Sequence, residues 1–425
     1  MTKISLRLNF RAIAAILAVV PLGLGLTACG GDSTTESTTI KVGAVFDLSG
    51  PTSDVGTAYA NGIRGYIDWL NSEGGVTMAD GTQKTVELLY QDYAYKVDQA
   101  EQLYSRYVQQ GVVAFQGWGT ADTEALRGRI AEDEIPFMSA SLSHVLGDPK
   151  DAPYNFLPGT SYTDQFKVLL DWILETEGAD GTAPKVALMH NPSPFGLSPY
   201  NAGGKDYADS LGIELTKDEM PRGSTDFTAE LTRIVDGGAT WVVFQNTSGP
   251  VSVALRNAKD LGLDLKFACL NWCSNAVLTD LAGDAANGVL GSMLFSPPGD
   301  GVTGFGDADA FLQSQGSSIA DEGLLYGQGW MTMHIMAEGI RRAAEAGDVT
   351  GAAIKAALEE LRDFDMGGVT APITFTEGNH RSTDSMRIFV VDGGAWTPLT
   401  DLRAPASDPT PEPDPERERH ADSEE

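Results

Sequence analysis

Two short loops hold the residues best suited to handle a small molecule. One reads Gly117-Trp118-Gly119-Thr120-Ala121-Asp122, the other Ser139-Ala140-Ser141-Leu142-Ser143. The first follows the β-branched and aromatic run from Val112 to Gln116 and opens a segment of helical spacing that ends near Glu132. The second follows Ile135-Pro136-Phe137-Met138. Strand, helix, strand in this order is a β-α-β unit. Both loops therefore fall at the carboxyl ends of neighbouring parallel strands, the edge where open α/β sheets bind ligands. A helix starting at that edge presents unpaired backbone N–H groups, which suit a carboxylate or another acceptor. Thr120 adds a hydroxyl for such an acceptor, Asp122 a charge for an ammonium group, and Trp118 a ring for stacking. The plainer reading of Thr120 and Asp122 is a helix cap and a first-turn acid. The Gly-x-Gly start also approaches the dinucleotide fingerprint. Its third small position is Asp122, however, whose charge opposes a pyrophosphate, so no nucleotide cofactor is expected.

Other chemistries find little support. The chain has no GxSxG elbow, Walker loop or HExxH, and its five histidines, His144, His190, His334, His380 and His420, are scattered. The serine-rich loop has no evident base to activate a nucleophile, so an enzyme is not expected. A formal net charge of -30 argues against nucleic acid or an anionic lipid surface as partner. Of the three cysteines, Cys269 and Cys273 are separated by three residues and are read either as a disulfide or as two buried thiols. No cluster of His and Cys completes a metal site.

The elements that must position these loops follow from length and periodicity. With 425 residues, 42% of them apolar and 21% charged, the chain is long enough for two domains. Residues 1–28 form an address: Lys3, Arg7 and Arg11 precede an apolar run from Ala12 to Leu26. The run ends in Leu26-Thr27-Ala28-Cys29-Gly30, which resembles a bacterial lipobox and implies lipidation at Cys29. A polar tether, 29–38, follows. Ile40 to Phe46 and Val86 to Gln91 read as strands, Ala58 to Glu73 and Val97 to Gln110 as helices. With the opening loops this makes a parallel sheet covered by helices. A second alternation starts after Pro158, with strands at Lys185 to His190, Ile213 to Met220 and Trp241 to Gln245, and polar loops at Asn246-Thr247-Ser248 and Asn271-Trp272. Helices are expected at Phe311 to Gln315, Gly323 to Ala346 and Ile354 to Leu361, then short strands at 373–375 and 386–391. The acidic, proline-rich stretch 404–425 is expected to be disordered.

Lys41-Val-Gly-Ala-Val-Phe-Asp-Leu-Ser-Gly-Pro51, the glycine-rich end of the next helix, and Met138-Ser-Ala-Ser-Leu-Ser143 together resemble the solute-binding proteins of ABC importers, of the branched-chain amino-acid (Leu/Ile/Val) type. The resemblance covers nearly all of residues 40–400. It implies a type I periplasmic-binding-protein fold: two Rossmann-like α/β lobes with parallel sheets, joined by three crossings. Lobe I would comprise 39–159 and 297–362, lobe II 160–296 and 363–403. It places ligand contacts at Trp118, Thr120, Ala121, Ser141, Leu142 and Ser143 in the first lobe, beside the Asp122 read above as an ammonium acceptor, and at Phe195, Asn246, Thr247, Asn271 and Trp272 in the second. One departure stands out. Where the family's amino-acid binders tend to place an acid for the α-ammonium, this chain has Leu270-Asn271-Trp272. The implied function is capture of a small amino acid, or a related aromatic or apolar carboxylate or amide, and delivery to an ABC permease from a lipid-anchored position outside the cytoplasm. A ligand sensor of the same fold that reports to a membrane receptor is the alternative.

Overall fold

The structure, a computed structural model, describes residues 38–178, 181–299 and 302–406. The address segment, Cys29, nearly all of the tether and the tail beyond Ala406 lie outside the described residues. Nine elements build the first lobe's sheet and its connections: β1 (Thr39–Phe46), α1 (Ser53–Ser72), β2 (Val76–Thr77), β3 (Gln83–Asp92), α2 (Val97–Gln109), β4 (Ala114–Gly117), α3 (Thr120–Glu132), β5 (Phe137–Ser139) and β6 (Asn155–Phe156). The strand order is β2-β3-β1-β4-β5-β6. All pairs are parallel except β2 with β3.

The second sheet grows from α4 (Tyr162–Glu177), β7 (Val186–His190), α5 (Pro194–Pro199), α6 (Lys205–Ser210), β8 (Leu215–Glu219), α7 (Thr228–Asp236), β9 (Trp241–Gln245), α8 (Ser248–Asp260), β10 (Lys266–Cys269), α9 (Ala276–Ala282) and β11 (Leu290–Met293). The chain then crosses back for α10 (Gly306–Ser314), α11 (Ile319–Glu345) and α12 (Gly351–Glu359). It ends on the second sheet with β12 (Arg387–Asp392) and β13 (Ala395–Pro398). The order is β13-β12-β11-β10-β9-β7-β8, with only the β11–β12 and β12–β13 pairs antiparallel.

Fully buried runs such as Trp241-Val-Val-Phe-Gln245 explain why these strands read as continuous apolar segments, since helices cover both faces of a parallel sheet. Phe115 and Phe137 stack at 5.0 Å across β4 and β5, each burial worth about 2 kcal/mol. Helix α11 lies so close along α1 that a Cβ on Gly62 would come within 2.0 Å of the Tyr326 carbonyl oxygen. That approach fixes the helix bearing Tyr59 beside the cleft. Several elements depart from expectation. β2, β6 and β13 were not foreseen, because two-residue strands and a terminal hairpin carry too little periodicity. Residues 373–375 form no strand, only an isolated bridge between Phe364 and Ile373. Cys269 and Cys273 are unbridged buried thiols. Burial, then the neighbouring Cys273, pushes the Cys269 thiol far above its usual range.

The three crossings are bonded to one another. Leu157 N–H donates to the His380 carbonyl at 2.9 Å, Ser382 N–H to the Leu157 carbonyl at 3.3 Å, and Ser296 N–H to the Val369 carbonyl at 2.6 Å.

Candidate ligand-binding cleft

The carboxyl ends of the parallel strands of both sheets point toward one cavity. From the first lobe, Thr52 follows β1, Tyr95 follows β3, and Trp118, Gly119 and Thr120 follow β4. From the second, Phe195 follows β7, Thr247 follows β9 and Trp272 follows β10, with Tyr162 at the start of α4. About 240 Å³ of atom-free space lies between the walls, part of it open to solvent, and the cavity proper is about 20 Å³, room for a single water, so a larger guest enters only when the lobes part. Trp118 and Trp272 meet across it with ring centroids 5.0 Å apart, and Tyr59 sets its edge against both.

Each tryptophan is oriented by its indole N–H. Trp118 Nε1 donates to Thr52 Oγ1 at 2.8 Å, and that hydroxyl donates in turn to the buried Asp47 carboxylate at 2.7 Å. Trp272 Nε1 donates to the Tyr162 hydroxyl at 2.7 Å. Buried indole and hydroxyl groups satisfied in this way hold their rings in one orientation. Tyr95 is held differently. It and Ala94 both adopt left-handed backbone, φ 56° and 50°, a conformation that costs energy in residues other than glycine and recurs at ligand clamps.

Two long helices begin at the cavity. Gly119 is the N-cap of α3 and Thr247 that of α8, and neither N-cap side chain bonds its own helix, although Gly249 N–H of α8 donates to Asp54 of the first lobe. The capping role expected of Thr120 is therefore not taken up. Its hydroxyl pairs with Ser141 Oγ at 2.7 Å. The first-turn N–H groups face the cavity from opposite lobes, and the helix dipoles bring partial positive charge there.

Of the residues expected from sequence, Trp118, Thr120, Phe195, Thr247 and Trp272 come together as lining. The other seven do not line the cavity, and six of them hold or join the parts that do. Ser141 braces Thr120. The Leu142 carbonyl accepts Tyr162 N–H at 2.9 Å. Ser143 Oγ donates to Glu124 at 2.7 Å and accepts from Ser198 of the other lobe at 3.1 Å. Asn246 Oδ1 accepts from Asn191 Nδ2 and from Thr247 N–H. Asn271 Oδ1 accepts from Gln328 Nε2 of α11 at 3.2 Å, another bond between lobes. Asp122 is buried and accepts the Tyr93 hydroxyl at 2.9 Å, while its second oxygen has no partner. Burial raises its carboxyl to about 7, against the Tyr93 bond that lowers it. It packs so tightly against Gly119 that a Cβ there would lie 2.1 Å from Asp122 Oδ1, so any larger residue at 119 would have to displace the Asp122 carboxylate and the Tyr93 hydroxyl. Ala121, half-buried in the first turn of α3, makes no side-chain contribution to the cavity.

Thr52, Tyr95 and Tyr162, and Gly119 between two expected residues, were not among the expected contacts. The edge rule applied to every strand would have found the first two, since the loops after β1 and β3 end at the same edge as β4. Tyr162 follows a crossing rather than a strand, and no local pattern marks it.

The sequence pattern of the periplasmic binding protein family matches residues 39–395, and the chain belongs to that family. A leucine-, isoleucine-, valine-, threonine- and alanine-binding protein of Pseudomonas aeruginosa is 26% identical over 258 residues, 60% of this chain and 66% of that relative. The chain thus spans just under two thirds of that curated relative's length. A branched-chain amino acid ABC transporter structure from Thermus thermophilus with bound valine is 28% identical, with a TM-score of 0.80 over 86% of this chain and 97% of that one. A fatty acid ABC transporter substrate-binding protein from Thermomonospora curvata, 18% identical, shares the fold alone, with a TM-score of 0.76 over 87% of this chain and 93% of that one. The fold is that of the type I members, two α/β lobes with mostly parallel sheets.

Proposed function

We propose that the chain captures a small amino acid, or a related carboxylate or amide, between its lobes outside the cytoplasm and delivers it to an ABC permease. Lipid on Cys29 would hold it at the membrane. The observation that carries this reading is the cavity itself: rings and helix starts from both lobes converge on it, so a ligand there favours the closed arrangement over an open one. A permease that recognises the closed arrangement then reads occupancy. The hinge reading divides the chain into lobe I, 39–159 and 297–362, and lobe II, 160–296 and 363–403. No catalytic role is assigned, in keeping with a family of binding proteins.

Titration calorimetry with a panel of amino acids and small carboxylates, paired with small-angle scattering, tests capture. One or more ligands should bind one per chain and make the particle more compact. A panel without any binder, or binding without a change in the scattering profile, refutes the reading.

A further inference from the structure

We infer that the cleft is built for a carboxylate that carries no ammonium group, borne on an apolar or aromatic body. The inference rests on the solute-capture reading and names the class of solute.

An α-amino acid brings an ammonium ion into a desolvated site, where an unpaired charge is costly. None of the nine residues that line the cavity is charged. Three carboxyl groups lie close by, and each is turned to another partner. Asp47 accepts from Gly50 N–H and from Thr52 N–H and Oγ1. Asp54 accepts Gly249 N–H of the other lobe at 2.9 Å. Asp122 accepts the Tyr93 hydroxyl, packs against Gly119, and is not part of the lining.

What the cavity offers is the complement of an anion. The first turn of α3 reaches it without a side-chain cap, while that of α8, on the opposite lobe, already gives its Gly249 N–H to Asp54. The Thr247 hydroxyl is buried in the lining and makes no well-formed hydrogen bond, with the Asp54 carboxylate alongside it. An acceptor oxygen between the lobes would satisfy that hydroxyl and the first-turn N–H groups of α3 together. The rest of the lining is aromatic: Tyr95, Trp118, Tyr162, Phe195 and Trp272. Rings so arranged can cradle a cation. The start of α3, aimed at the same space, weighs against one, because its dipole disfavours positive charge there.

Matched pairs read by calorimetry and thermal shift test the inference: 3-phenylpropanoate against phenylalanine, and 4-methylpentanoate against leucine. The acid of at least one pair should bind tenfold or more tighter than its amino-acid partner. Equal or tighter binding of the amino acid overturns the inference and leaves solute capture standing. If no carboxylate binds but a quaternary amine does, the inference falls and the cation reading replaces it. If nothing in these sets or in a wider amino-acid panel binds, both readings fall. Asp122→Asn supplies a second check at pH 8. Removing negative charge behind the α3 start should tighten binding of the acid two- to tenfold, whereas loss of binding would mark Asp122 as a counter-charge for an ammonium and overturn the inference.

Discussion

The lobes meet in two places that are made of different material. At the cleft, the contact is rings and single hydrogen bonds: Trp118 against Trp272, Ser198 to Ser143, Gln328 to Asn271, Asp54 to Gly249. At the crossings it is backbone pairing and buried charge. Arg381 Nη1 lies 3.2 Å from Asp164, whose carboxyl stays below its usual range because bonds to His144 and Ser161 and the Arg381 charge overcome its burial. His380, fully buried, stacks on Phe156 at 4.0 Å and bonds the Asn155 carbonyl and Glu359. Contacts that break one at a time suit a surface that parts and closes again. A network of paired groups built round buried Asp164, His380 and Glu359 is costly to open. The difference assigns motion to the cleft and persistence to the crossings.

The largest effects should separate the two regions. Truncating His380 to Ala leaves Glu359 and the Asn155 carbonyl short of a buried partner and removes the ring from Phe156. A loss of about 3 kcal/mol in unfolding free energy is expected, measured by urea denaturation, with ligand affinity little changed in the folded fraction. Trp272→Ala should do the reverse. Affinity falls by roughly 30-fold or more, the cost of truncating an aromatic anchor at the centre of a contact, while calorimetry finds the protein still folded. If both variants lose stability and affinity in the same proportion, the cleft and the crossings are one cooperative structure and the contrast is void.

The two buried carboxyls sharpen it next. Asp164 at the crossings is paired and depressed, so its contribution is present above the ordinary carboxylate range and is lost as the solution is acidified. Asp122 behind the cleft wall is raised by burial to about 7. A raised carboxyl has the opposite sign: the folded form holds its proton where the unfolded form does not, so stability falls as pH rises from about 4 to about 7 and stays low above that. Asp122→Asn removes the titration. Its advantage over the parent chain should grow by on the order of 2 kcal/mol between pH 5 and pH 8, read from denaturation curves. A gap that does not change with pH would mean Asp122 is ionised in the fold with a partner.

Much of this architecture is legible in the amino-acid sequence, and the reasons are local. β4, α3 and β5 announce themselves because a buried parallel strand is a short apolar run and a helix keeps its spacing. Trp118 and Thr120 could be placed because loops at the carboxyl edge of a parallel sheet share one address, and Phe195, Thr247 and Trp272 because the family resemblance pointed to their loops. The division of labour within those loops could not. Ser141, Ser143, Asn246 and Asn271 have the same polar character as the lining residues, and only three-dimensional packing shows that their hydroxyls and amides are spent on each other or on the opposite lobe. The backbone conformation of Tyr95, a residue the edge rule could have reached, was hidden for another reason. A left-handed tyrosine has no sequence signal, since glycine or asparagine is the residue expected in that conformation.

The smallest effect probes a single bond of the cleft. Asp54 lies on α1 of the first lobe, yet its Oδ2 accepts Gly249 N–H in the first turn of α8 on the second. It thus serves from across the gap as the acceptor that α8 lacks in its own sequence. The bond exists only while the lobes are together, so removing it should raise the ligand's dissociation rate without altering any lining residue. Asp54→Ala is expected to weaken affinity about three- to tenfold, within the net worth of one charge-assisted hydrogen bond. Asp54→Asn keeps an acceptor oxygen and should weaken it less. Burial raises the Asp54 carboxyl against the bond to Gly249, so the closed form holds the proton more tightly than an open form that returns the group to water. Closing then takes up protons, and affinity should increase as pH falls through the ordinary carboxylate range toward the raised value. That slope should shrink in Asp54→Asn, measured by stopped-flow dissociation at several pH values. If Asp54→Ala releases ligand no faster than the parent chain, the bonds spanning the cleft carry no share of closure, and the aromatic contact alone must hold the lobes together.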